Sequence, residues 1–273
     1  MISLSDHLIK VSIDEEFRPR SVLECGQIFR YEESGETFKV FSADKAAVIA
    51  PADGGYEIRT DDPIFFYSFF DFEKDYESLR KELSAFPALR NGLEKGKGLR
   101  LLRQPHFETL IGFIVSANNN IPRIKGIMRR LAASLGENKG WYSAFPTPRE
   151  MAAMDESFYK LLGAGYRAKY LAETARLVAD GFDLDALEKL STPDLLKALR
   201  SLPGVGPKVA DCVALFSYAR WDVFPVDTWI KKVYEDVFRK TALPTAMRRD
   251  FLDLFGSLSG LAQQYLFFGK REE

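Results

Sequence analysis

A lysine and a carboxylate 19 residues apart carry the chemistry for which this chain can be read. Leu202–Asp211 reads LPGVGPKVAD, and the later run FPVD ends at Asp227. Gly204 and Gly206 permit close backbone approach and unusual φ/ψ, and amides at a helix start can hold a phosphate oxygen. Lys208, in the first turn of that helix, stands next to such a phosphate as an amine nucleophile, with Asp227 as its candidate charge partner. The two helices joined by L-P-G-V-G form a helix–hairpin–helix. A lone G-x-G at that place would signify only a tight αα connection.

The elements that must hold these residues follow from pattern. Segments near 27–32, 37–41, 46–50 and 56–59 alternate or run apolar between the turn signals Ser34-Gly35 and Asp53-Gly54-Gly55, which predicts an antiparallel sheet. From Pro63 onward the spacing becomes helical. Phe107, Leu110, Ile111, Ile114 and Val115 share one helix face, and IPRIKGIMRRLAASLG opens near Pro122 and closes at Gly136, a plausible C′ position. Further helices are expected over 148–154, 155–162, 168–180, 192–202, 207–218, 227–238 and 246–268, the last broken near 256–260. Thr192 is the expected N-cap of its helix. The reading is thus α+β: an N-terminal antiparallel sheet domain over 1–89, then a mostly helical domain over 90–273 that contains the hairpin.

Composition bounds the function class. The 273 residues include 46% hydrophobic and 28% charged side chains, as in a globular protein able to bury a sizeable core. No apolar run is long enough to span a membrane, so a non-membrane, intracellular protein is expected. Cys25 and Cys212 are the only cysteines; two cannot make a four-cysteine zinc or iron–sulfur site, and no metal cage or cofactor is expected. A single disulfide is conceivable but unsupported. The net charge of −1 conceals an asymmetry: residues 1–89 balance at −8 and residues 90–130 at +7. Such a basic segment could grip a polyanion locally or be a solvated face.

The hairpin, the lysine immediately after it and the downstream Pro-Val-Asp together resemble the helix–hairpin–helix DNA glycosylases, and further motifs resemble the 8-oxoguanine DNA glycosylase/AP lyases among them. SANNNIPRI at 116–124, GAGYRAKY at 163–170 and ECGQIFRY at 24–31 carry that second likeness. The resemblance is strong over 100–240 and moderate elsewhere. It implies double-stranded DNA containing oxidised guanine as partner; a monomer is expected. Breaking an N-glycosidic bond develops positive charge on the sugar, which Asp227 would stabilise. Attack of Lys208 at C1′ gives a Schiff base that permits β-elimination.

The same resemblance assigns roles around this pair. Asn118 would fill the space of the flipped nucleotide, Tyr166 would wedge beside the lesion, and Arg123 and Arg167 would contact the opposite cytosine. The base pocket would comprise the Gly26 carbonyl, Cys212, Phe267 and Gln263, with Gln264 and Phe268 as the alternative register. A structural monovalent cation would sit on the carbonyls of Arg200, Leu202 and Val205. Trp229 departs from the family's animal members, which place a phosphate-binding histidine there; Lys231 or Lys232 would have to supply that grip. Two other readings stay open: a helix–hairpin–helix glycosylase for alkylated bases, and a non-catalytic DNA-binding module.

Overall fold

The computed structural model describes residues 1–271 and builds the first part of the chain as one six-stranded antiparallel sheet. The strands are β1 (Ile2–Ser5), β2 (Leu8–Ser12), β3 (Tyr31–Ser34), β4 (Thr37–Ser42), β5 (Lys45–Ala52) and β6 (Gly55–Thr60). Their order across the sheet is β1-β2-β6-β5-β4-β3. Turn glycines set the register. Gly55 approaches the β2 backbone so closely that a Cβ there would fall 2.0 Å from the Val11 carbonyl oxygen, which only glycine avoids.

Two expectations change here. The strand expected over 27–32 starts only at Tyr31, because Gln27 is consumed in tying down the loop before it. Its amide donates to the Val22 carbonyl at 2.9 Å and the Arg100 carbonyl at 2.8 Å, and its Oε1 accepts from the Leu102 N–H at 2.8 Å. The first two strands were also not legible in advance, since β1 is short and mostly exposed.

Four short helices lead from the sheet into the helical part: α1 (Pro19–Leu23), α2 (Pro63–Phe69), α3 (Tyr76–Leu83) and α4 (Arg90–Lys95); α2 packs on β1, β2 and β6. That part comprises α5 (His106–Ser116), α6 (Ile121–Leu135), α7 (Pro148–Ala152), α8 (Glu156–Leu161), α9 (Arg167–Ala179), α10 (Thr192–Leu199), α11 (Pro207–Phe216), α12 (Thr228–Phe238), α13 (Pro244–Phe255) and α14 (Ser259–Arg271). No described helix is long and apolar enough to cross a membrane.

Two cap expectations are corrected. Ser191, not Thr192, caps α10: its Oγ accepts from the Asp194 N–H at 3.3 Å, while the Thr192 hydroxyl turns away to Asp222. Gly136 ends α6 with an ordinary φ of −76° rather than a left-handed one. Its glycine is needed for space, because a Cβ would lie 1.8 Å from the Ala144 carbonyl oxygen.

The apolar cores follow this division and also blur it. Ile9, Ile49, Ile58, Phe17, Phe66 and Phe70 form the sheet's core. Cys25, Phe29, Tyr76 and Leu83, all earlier than residue 90, pack instead into the helical core. A buried ion pair joins the two parts: Arg30 donates to Glu108 at 3.1 Å, and the other Glu108 oxygen accepts from the Ala43 N–H at 2.6 Å. The C-terminal helix α14 closes the arrangement by packing on α4, where a Cβ on Gly92 would meet the Tyr265 carbonyl oxygen at 2.1 Å.

Candidate active site

Lys208 and Asp227 occupy helix starts, and local sequence explains both. Gly206 is the N-cap of α11, with Pro207 in its first turn and no side chain to satisfy the free amides. Gly206 is exposed, and an uncapped helix start suits an anion. Asp227 is the N-cap of α12, one oxygen accepting the Ile230 N–H at 2.8 Å. Its other oxygen has no hydrogen bond within the described protein and is free to act on a neighbouring charge.

Cys212, one turn after Lys208, brings the pair together. Burial pushes its thiol up to about 11; the Lys208 ammonium pulls it down, and the Asp211 and Asp227 carboxylates push it further up. Lysine, thiol and aspartate therefore share one electrostatic neighbourhood. Lys208 lies with its Nζ 5.2 Å from the centre of the Phe113 ring, and it forms no salt bridge among the described residues. Phe113 itself is stacked on Phe216 at 5.4 Å and packed edge-on against Phe29 at 5.5 Å. Phe113 was missed in the sequence, where it is one more apolar residue on an amphipathic helix.

The residues expected to line a base pocket come from the two ends of the chain. Gly26 has φ +80°, a region that disfavours a side chain. The Phe267 ring stands 3.4 Å from where its Cβ would be, with Ile121 at 4.0 Å. Of the two registers, Phe267 is therefore the ring that faces Gly26, while Phe268 is buried in the helical core. Gln263, one turn before Phe267, is buried and its Oε1 accepts from the Gln264 amide at 2.9 Å. That bond orients Gln263 with its amide nitrogen uncommitted. Arg271 anchors the end of α14 to the Glu24 carbonyl beside these residues.

The loop between α5 and α6 meets the start of α9. Asn118 adopts φ +49°, Asn119 bonds back to the Val115 carbonyl at 3.0 Å, and Asn120 caps α6 through the Arg123 N–H at 3.0 Å. Two of the three asparagines thus serve the turn itself. Tyr166 is 56% exposed, with its hydroxyl on the Ala117 carbonyl at 3.1 Å. Arg123 is exposed and touches the Gly163 carbonyl at 3.1 Å.

Arg167, expected to contact the opposite cytosine, is turned inward. It is only 3% exposed, and its guanidinium donates to the carbonyls of Ala117, Asn118 and Ala164. In this structure it holds the asparagine turn rather than presenting donors outward. Part of the basic segment is likewise structural, while Arg90, Lys95, Lys97, Arg123 and Arg129 are exposed. Arg100 is buried against Tyr76, Arg103 pairs with Asp71 at 2.8 Å, and Arg130 donates to the Leu162 carbonyl. Trp229 is exposed, with the Lys232 ammonium 4.9 Å from its ring centre.

Comparison with known proteins matches this architecture to two family models. Residues 9–110 match the N-terminal domain of 8-oxoguanine DNA glycosylase, and residues 111–255 match the HhH-GPD superfamily base excision DNA repair protein. The chain belongs to the HhH-GPD superfamily.

Within that superfamily, a probable N-glycosylase/DNA lyase of Methanothermobacter thermautotrophicus is 30% identical over 227 residues, 72% of this chain and 70% of the relative. Two solved structures are each 35% identical and cover 100% of this chain and 98% of theirs. They are MBOgg1 in complex with a low-affinity DNA ligand, with a TM-score of 0.94, and Clostridium acetobutylicum 8-oxoguanine glycosylase/lyase, with a TM-score of 0.93. The latter is in complex with double-stranded DNA containing cytosine opposite 8-oxoguanine. The two family matches meet between residues 110 and 111, within α5.

Proposed function

We propose that this chain is a bifunctional 8-oxoguanine DNA glycosylase and AP lyase acting on duplex DNA. The observation that carries the reading is Lys208, set over the Phe113 ring and sharing the Cys212 neighbourhood with Asp227. The hairpin amides and Gly206 take a backbone phosphate and thereby place the nucleotide over α11. The flipped base enters between Cys212 and Phe267, with Gln263 toward its Watson–Crick edge and the Gly26 carbonyl toward its N7.

The chemistry follows from these positions. The neutral Lys208 amine forms a bond to C1′ as the bond from C1′ to the base nitrogen breaks. Asp227 stabilises the positive charge that grows on the sugar. Loss of the amine proton and ring opening give a Schiff base, whose acidified C2′ position loses a proton so that the 3′ phosphate departs by β-elimination. A carbonyl facing N7–H distinguishes oxidised from normal guanine because guanine would leave a buried acceptor unpaired, at a cost of about 1–3 kcal/mol.

Arg123, exposed beside Tyr166, is the residue best placed to read the opposite cytosine. A monovalent cation fits the hairpin: the Arg200 and Val205 carbonyls accept no loop hydrogen bond, although that of Leu202 accepts the Val205 N–H at 3.2 Å. Such an ion would stiffen the turn and add positive charge at the phosphate.

Borohydride trapping on a panel of duplexes tests the whole reading. Wild-type protein should form a covalent adduct with 8-oxoguanine opposite cytosine, and Lys208→Gln should form none. Failure to trap any oxidised-guanine duplex, or equal turnover of 3-methyladenine, would sink it.

A further inference from the structure

Lys208 and Asp227 start two different helices, so their separation depends on whatever holds α11 and α12 together. Helix α13 touches both through side chains of one turn. Arg248 grips Asp211 in a two-pronged bond, Nε to Oδ2 at 2.7 Å and a terminal nitrogen to Oδ1 at 2.9 Å. Asp211 lies on α11, three residues after Lys208 and directly before Cys212, with its side chain 4% exposed. Asp250 accepts the Tyr234 hydroxyl of α12 at 2.6 Å and also pairs with Lys240 at 2.8 Å. Phe251, fully buried, stacks at 4.3 Å on Phe224, three residues before Asp227. One turn of α13 therefore reaches the lysine's helix, the aspartate's helix and the segment leading into the aspartate.

We propose that α13 is a splint that sets the spacing of Lys208 and Asp227, with Arg248 as its principal positioning residue. Stability alone is a weak reason for the Arg248–Asp211 pair, since a buried ion pair replaced by matched apolar residues often leaves stability unchanged. What such a replacement loses is direction. A fork bonded to a carboxylate fixes the rotation of α11 in a way that interchangeable apolar contacts do not. Burial works to raise the Asp211 carboxyl and the Arg248 guanidinium opposes it, so the pair constrains charge as well as orientation.

The inference rests on the proposed glycosylase/lyase reaction, and its test separates the two. In Asp211→Leu/Arg248→Met no buried charge is orphaned, so the double variant should melt near wild type. Single-turnover excision of 8-oxoguanine should nevertheless fall by about 10-fold to 100-fold, the scale of a small misplacement of reacting groups. Affinity for an uncleavable abasic-site duplex should stay within about twofold, because the hairpin is untouched. Strand cleavage at a preformed abasic site needs Lys208 without base departure, and should fall less than excision. Arg248→Lys, which keeps the charge but not the fork, and Tyr234→Phe should give intermediate losses and serve if the double variant does not fold. Unchanged excision in a folded variant, or a loss confined to DNA affinity, would overturn the splint. Failure of the wild-type protein to excise would instead overturn the proposed function.

Discussion

Gly204 packs directly on Tyr170: a Cβ on the glycine would lie 2.8 Å from Tyr170 Cβ and 2.9 Å from Cγ. Tyr170 in turn packs edge-on against Tyr166 at 6.3 Å, and Tyr166 bonds the Ala117 carbonyl before Asn118. The hairpin and the asparagine turn are thus ends of one chain of contacts. A second tie, the Thr174 hydroxyl on the Pro203 carbonyl at 3.0 Å, holds the hairpin to α9.

Gly204→Ala should weaken DNA binding and stability together. The glycine has φ +80°, where a side chain costs about 1–2 kcal/mol before any clash. Relief of the clash must push the hairpin off Tyr170. Thermal melting and DNA affinity should both drop; an alanine variant that binds like wild type would disprove the coupling.

Asp227→Asn separates capping from chemistry. Asparagine keeps an acceptor for the Ile230 N–H and caps about as well as aspartate, so stability should change by less than about 0.5 kcal/mol. Removing the negative charge should slow excision about 10²-fold to 10³-fold, by analogy with other lost transition-state electrostatic contacts. Melting curves and single-turnover rates on the same preparations check both halves.

Arg123 and Arg167 should behave differently despite their similar chemistry. Arg123→Ala should narrow the difference in excision rates between lesions opposite cytosine and opposite other bases, with little loss of stability. Arg167→Met removes a buried guanidinium together with its hydrogen bonds to the carbonyls of Ala117, Asn118 and Ala164, each worth about 0.5–1.5 kcal/mol. It should therefore lower the melting temperature markedly and slow excision opposite every base. Selective loss of cytosine preference in a fully stable Arg167→Met protein would contradict this.

The buried thiols set an alkaline limit. Burial raises Cys212 from an ordinary 9.0 to about 11 and Cys25 to about 12. Both folded values lie above the unfolded one, so this contribution is intact below pH 9 and is lost as pH climbs from about 9 toward 11–12. The melting temperature should fall over that window, and Cys212→Ala should flatten part of the fall. At pH 7.5, both thiols should resist alkylation until the protein unfolds.

Local sequence determined the parts of this protein whose physics is local. The hairpin glycines, the lysine of the next turn, the capping aspartate and the alternation of β4 to β6 each depend on a few neighbouring residues, so type and spacing sufficed to read them. The pocket motif at 24–31 was also legible, although its glutamine turned out to brace a loop rather than start a strand. Tertiary structure alone decided what depends on residues far apart in the chain. It chose Phe267 over Phe268 by setting α14 against Gly26, turned Arg167 inward to carbonyls some 50 positions away, and linked Asp211 to Arg248 across two helices. The opening pair belongs to both levels. Spacing revealed that Lys208 and Asp227 could act together, but their common neighbourhood at Cys212 exists only because packing between helices brings two separate helix starts to one place.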